Sequence, residues 1–199
     1  MINNIDQWLK EGPQTKITDI MYPHINAIDQ ILDSSLDIDM PLKVRDLGKE
    51  AITAYIIANY VCELREINLN KNLIRNDVMR TRTASQILKE GFTDSCSDYN
   101  IVLRTLLLMM NIPSIWQEYI HKDYGVDYRT WHHATVKIVS VDLILEGTCN
   151  SKPYFKEQDA FCEFYKLILF REGLDSWDIG IRDYETLHKE LSNFKFSNT

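Results

Sequence analysis

The chain has 199 residues, of which 45% are hydrophobic and 26% charged, an ordinary globular balance that sets aside wholesale disorder. A formal net charge of -7 with no Lys/Arg cluster leaves no basic face for nucleic acid or an anionic membrane. The longest apolar runs, AITAYIIANYV and LLLMM, are too short to cross a bilayer, and the N-terminus lacks the basic and apolar regions of a signal peptide, so a cytoplasmic protein is expected, with signal-less secretion left open.

Residues 1–40 predict a helical N-terminal extension, with Ile20, His24, Ile28, Ile31 and Leu32 near one stripe and Pro23 in the first turn. After Pro41, the stretch KVRDLGKEAITAYIIANYVCELREI predicts one longer helix burying Leu47, Ala51, Ala54, Tyr55, Ala58 and Val61. The Asn-rich NLNKNLIRND reads as a loop. TASQILKEG predicts a short helix in which Thr83 and Gln86 form a capping box and Gly91 ends the element. From Cys96 to Met110 the pattern is a nearly all-apolar helix with Asp94 or Ser95 as N-cap, and Asn111 and Pro113 stop it.

The character then changes. SIWQEYI alternates as a strand, and HHATVKIVSVDLILEG reads as a hairpin turning near residues 140–142. KEQDAFCEFYKLILFREG predicts a helix ending at Gly173, and DYETLHKELSNF a final amphipathic one. Nothing in the chain marks a linker, so residues 1–199 are expected to form a single α+β domain with an antiparallel sheet.

Cys96 stands apart from the other cysteines. It occupies the mouth of the most apolar helix, where free N–H groups and the helix dipole favour a thiolate and can stabilise an oxyanion. Cys62 and Cys162 fall inside helical apolar patterns and read as core. A nucleophile needs a base, and His133 in WHHATVKI is the candidate, with His132 expected on the opposite face of its strand. In the hairpin, Glu146 falls nearly opposite His133 and shares its face, so the acid can hold the imidazole, with Asp142 as competitor. Packing the buried helix on that same face is expected to bring Cys96 to His133, a Cys-His-acid arrangement. Trp116, Trp131 and Tyr99, together with Asp94, are the candidate substrate-binding residues.

These segments resemble the core of the transglutaminase-like superfamily over roughly residues 80–150. Cys96, Asp98 and Tyr99 match its Cys-x-Asp-Tyr-Ala stretch with Asn100 for alanine, and Ile112 and Pro113 match a Gly-Ile-Pro with Asn111 for glycine. His133 and Ala134 match a His-Ala, with Thr135 where tryptophan is common, and Thr148 ends an Asp-Pro-Thr with Glu146 and Gly147 substituted. The resemblance implies a papain-like fold with the cysteine helix packed on an antiparallel sheet, flanked by N- and C-terminal helices. It also implies acyl transfer from a peptide or amide substrate through a thioester. Asp94 stands where that family often has glycine, and its oxyanion tryptophan has no counterpart, leaving Tyr60 or Gln86 as alternative donors. Hydrolysis is therefore expected over cross-linking, and a non-catalytic peptide- or protein-binding module is the alternative. No cofactor is expected. Cys96, His133 and Cys149 come near one another in this arrangement, but ligand pairs at zinc-site spacing are missing, so no metal is expected either. The sequence leaves the oligomeric state open.

Overall fold

Five stretches of alternating or β-branched sequence pair into one antiparallel sheet of order β4-β3-β2-β1-β5 in the computed structural model, which describes residues 5–34, 40–67, 78–92, 95–124, 132–148 and 152–197. The strands are β1 (Ser114–His121), β2 (His132–Ile138), β3 (Leu143–Glu146), β4 (Tyr154–Lys156) and β5 (Leu167–Gly173). The helices are α1 (Tyr22–Asp33), α2 (Leu42–Arg45), α3 (Lys49–Ile67), α4 (Ala84–Glu90), α5 (Cys96–Met109), α6 (Gln158–Tyr165) and α7 (Tyr184–Ser197). The chain is therefore α+β, and none of the described helices is long and apolar enough to cross a membrane.

Local signals explain most boundaries. Thr83 and Gln86 close the expected capping box at the start of α4, each side chain bonding the other residue's backbone N–H. Asn111 takes the left-handed conformation (φ 57°) just beyond α5, and the Ile112 N–H returns to the Leu107 carbonyl at 2.9 Å. Two boundaries differ from expectation. Gly48 (φ 94°) splits the helix expected over residues 43–67 into α2 and α3. The helix expected up to Gly173 ends at Tyr165, where Lys166 turns left-handed (φ 55°), and residues 167–173 become β5, paired along β1. The loop expected over NLNKNLIRND, residues 68–77, lies wholly outside the described residues.

The pairing Trp116↔Val136, Glu118↔Ala134 and Ile120↔His132 puts these residues on one sheet face. That face joins Leu145 and the apolar side chains of α5 in the main core, with α1, α3, α4 and α7 contributing to the same cluster. Tyr119 and Ile144 point the other way, where Phe161 of α6 and Leu167 complete a smaller core. Twelve of the fourteen residues of α5, Ser97 through Leu108, are buried, which is why its apolar residues run around more than one side.

A polar network ties the N-terminal segment to this frame. Arg104 of α5 is fully buried and donates to the carbonyls of Ser114, Lys10 and Trp8 and to the Thr15 hydroxyl, at 3.0–3.4 Å. Gln14 donates to the carbonyls of Arg80 and Arg82, both at 2.9 Å, while Asp175 accepts the Gln14 N–H at 2.7 Å. Burial lowers the Arg104 pKa to about 10, with Asp175 and Asp178 opposing that shift.

Candidate active site

The site is built where the β2–β3 ladder ends. That ladder pairs Ile138↔Leu143, Lys137↔Ile144 and Val136↔Leu145 and goes no further. One more step along it would set Thr135 opposite Glu146, so His133 is a diagonal rather than a direct neighbour of the acid, on the same face. His133 Nε2–H donates to Glu146 Oε2 at 2.7 Å. The other carboxylate oxygen accepts the Thr148 N–H at 2.6 Å and the Thr148 hydroxyl. Phe161 stacks on the imidazole with ring centroids 6.0 Å apart and planes 25° from parallel. Asp142, the competing acid, sits in the hairpin turn with its carboxylate 2.5 Å from Lys137 Nζ.

Cys96 opens α5 as its first residue. Ser95 is the N-cap, its Oγ accepting the Ser97 N–H at 3.2 Å, whereas Asp94 lies outside the described residues. The Cys96 side chain is half-buried, carries no disulfide and lies near enough to the His133 ring to raise its pKa. With Nε2 committed to Glu146, Nδ1 is the ring nitrogen left for a second partner. The approach differs from expectation in one respect. The helix packs on the face of Ala134 and Val136, opposite to His133, yet Cys96 at its mouth still raises the His133 pKa.

Electrostatics separate the two adjacent histidines. Burial alone would depress His133, but the Glu146 charge and hydrogen bonds from Cys96 and Glu146 lift it well above the ordinary 6.5. Burial likewise opposes ionisation of Glu146, yet the His133 ring and the two Thr148 donors hold its carboxyl below the usual range. His132 is pressed the other way. Burial first, then the Arg80 guanidinium and the rings of His188 and His133, drive it well below 6.5. It faces Glu118, at 3.9 Å from Nδ1 to Oε1, but that carboxylate is bound through both oxygens by Arg80 at 2.8 Å.

The remaining candidates fall elsewhere. Trp116 and Tyr99 are both 0% exposed and belong to the main core, so neither presents a side chain to a substrate. Tyr99 instead donates to the Ala58 carbonyl at 3.0 Å and packs on Gly147, where a Cβ would lie 2.1 Å from the phenol oxygen. That contact explains glycine at a position the resemblance gives to proline. Trp131 lies outside the described residues. Of the two alternative oxyanion donors, Tyr60 is engaged with His24 Nδ1 at 2.8 Å and Gln86 closes the α4 cap. Asp98 is a structural residue, pairing with Arg82 at 2.7 Å and so anchoring the segment before α4 to the cysteine helix. Sequence reading missed Phe161, Thr148's double bond to the acid, and the links made by Asn100, whose amide donates to the carbonyls of Cys96 and Ala134. Only the Thr148 match hinted at any of them. Among the described residues no group of three or more His, Cys, Asp or Glu side chains is arranged to hold a metal ion.

No family model and no curated protein matches this chain. Among solved structures it is similar to a crystal structure from Cytophaga hutchinsonii assigned provisionally to the cysteine proteases, at 14% identity and a TM-score of 0.44. The alignment covers 85% of this chain and 52% of the other, so the chain spans about half the length of that protein. A likeness this slight decides neither family nor activity.

Proposed function

We propose that the protein is a cysteine-dependent acyl-transfer enzyme of papain-like, transglutaminase-like design that hydrolyses a peptide or side-chain amide. One observation carries the reading: His133 and Glu146, 13 residues apart, meet at 2.7 Å, while Cys96, from a helix mouth remote in sequence, lies near enough to raise the pKa of the same ring. In this reading His133 takes the Cys96 proton, and the sulfur attacks the amide carbonyl carbon to give a tetrahedral oxyanion. The Cys96 N–H, among the helix's first four and so without an intrahelical acceptor, supports that oxygen. The imidazolium then protonates the departing amine as the C–N bond breaks, leaving a thioester. Water attacks the thioester with its proton going to His133, and the acid and free thiol are released. Glu146, itself fixed by Thr148, stabilises the imidazolium and keeps Nδ1 aimed at the sulfur. Water as acceptor requires no second site for an amine, which favours hydrolysis over cross-linking.

Iodoacetamide tests the reading with internal controls, because Cys62 and Cys162 of the same chain are not in disulfides, and burial raises the Cys162 pKa. At about pH 6.5 Cys96 should alkylate at least ~10-fold faster than either, and unalkylated protein should release amine from a mixture of peptide amides, a release that alkylation abolishes. Alkylation of Cys96 no faster than its neighbours, with no amine released, is the result of a non-catalytic binding module.

A further inference from the structure

We infer that Asn100 is a positioning residue that sets the distance between the thiol and the imidazole, an assignment that rests on the hydrolase reading above. Asn100 sits one turn into α5, at the position four residues after Cys96, and is almost fully buried. Its Nδ2 donates to the Cys96 carbonyl at 2.8 Å and to the Ala134 carbonyl at 2.7 Å. Both donor hydrogens are thus used, one on the residue carrying the nucleophile and one on the residue that follows the base.

The second bond falls where the sheet itself offers least. The β2–β3 ladder ends at Val136, so Ala134 lies beyond it, in the part of β2 from which β3 has already turned away. There, on the side where β3 is missing, the amide of Asn100 supplies the Ala134 carbonyl with a donor from α5, while β1 still pairs with the strand at Glu118. The helix and the strand touch elsewhere through apolar packing, which tolerates sliding; two short directional bonds from one planar group do not.

Asn100 also carries a cost that packing does not explain. Its Oδ1 is buried and has no hydrogen-bond partner, and asparagine is a poor residue for a helix interior. Alanine, the residue the resemblance gives for this position, would remove both penalties. What alanine cannot do is join the Cys96 turn to the His133 strand.

Thr105 supplies the control for the intrahelical bond. Its hydroxyl donates to the Ile101 carbonyl, four residues back, at 2.8 Å, which shows that a short hydroxyl side chain makes that contact within α5. Serine at position 100 would keep an i−4 bond to Cys96 but is too short to reach Ala134. Alanine loses both bonds. A residue that merely stabilised the helix would be replaced adequately by either.

The experiment compares wild type, Asn100→Ala, Asn100→Ser and His133→Ala in the full chain. The readout is the ratio of Cys96 alkylation rates at about pH 6.5 and about pH 9, a ratio that global stability does not move while the protein stays folded. Circular dichroism and thermal melts establish folding, and serine serves if alanine does not fold. Expected is a wild-type ratio within about 3-fold of unity and a ratio at least ~10-fold lower in both Asn100 variants, approaching that of His133→Ala. Should the wild type and the Asn100 variants share one ratio while His133→Ala departs from it, Asn100 is not a positioning residue and the hydrolase reading stands. A wild-type ratio equal to that of His133→Ala overturns both.

Discussion

Two acid–imidazole pairs lie back to back on neighbouring residues of β2, and they behave oppositely. On the helix-covered face, Glu118 is claimed by both guanidinium nitrogens of Arg80, so His132 feels a cation across a carboxylate already satisfied and stays neutral. On the other face, besides His133 itself, the donors to Glu146 among the described residues are those of Thr148, which fix its direction without cancelling its charge, and His133 is drawn toward the imidazolium. The same residue types, one position apart, give a structural clamp in one case and, in the proposed reading, a proton-transfer centre in the other. What differs is the second partner of each acid: a fixed cation, or a hydroxyl and an amide.

The largest effect should come from breaking the clamp. Arg80 and Glu118 side chains are both fully buried, so Glu118→Ala leaves an unpaired guanidinium in the core and should lower the unfolding free energy by about 3–5 kcal/mol, read by urea denaturation. Replacing both by apolar residues of matching volume should recover most of that loss.

On the other face the equivalent break is chemical. His133→Ala should slow Cys96 alkylation near neutral pH by about 10²-fold and, by leaving the buried Glu146 without its imidazole, also lower the melting temperature, while His132→Gln should leave the alkylation rate within about 3-fold of wild type. Equal effects from the two histidines would erase the distinction between the faces.

Gly147→Ala sharpens the support beneath Glu146. A Cβ there would sit 2.1 Å from the Tyr99 phenol oxygen, so the tyrosine or the Glu146–Thr148 segment must shift, at a cost of about 1–3 kcal/mol by chemical denaturation. Tyr99→Phe in the same background removes the clashing oxygen and should restore part of the loss.

The smallest effect is the pH dependence, and its sign divides the pair. His132 has a depressed folded pKa, so its stabilising contribution is complete above 6.5 and is lost as the pH falls from there toward the folded value. His133 has a raised folded pKa, so its contribution is complete below 6.5 and is lost as the pH rises through the folded value. His132→Gln should therefore flatten the acidic limb of a melting-temperature profile, and His133→Gln the neutral-to-alkaline limb.

What the sequence reveals about this contrast depends on range. The cap at Ser95, the left-handed Asn111, the Thr83–Gln86 box and the β2–β3 turn are local, and each is legible because its residues bond within a few positions of one another. The His133–Glu146 contact is legible because alternation in a hairpin fixes which side chains share a face. Which face the helix covers is not, since alternation is symmetric, and the structure places α5 opposite to the expected side. LILF could be read as the end of a helix or as a strand; pairing with β1, distant in sequence, decides. The Arg80–Glu118 clamp spans 38 positions and the Gln14–Ser176 bond 162, with no motif to announce either. Trp116 and Tyr99 mislead for a simpler reason, since large aromatic side chains supply core volume as readily as a substrate wall.

The most direct test is to titrate the two imidazoles by NMR with ring-nitrogen labels, in wild type and in Cys96→Ala. A coupled thiol–imidazole pair predicts that His133 stays protonated well above pH 6.5 in the wild type and titrates lower once the sulfur is gone, while His132 remains neutral in both. A His133 that titrates alike with and without the sulfur, at or below the ordinary histidine value, would contradict it.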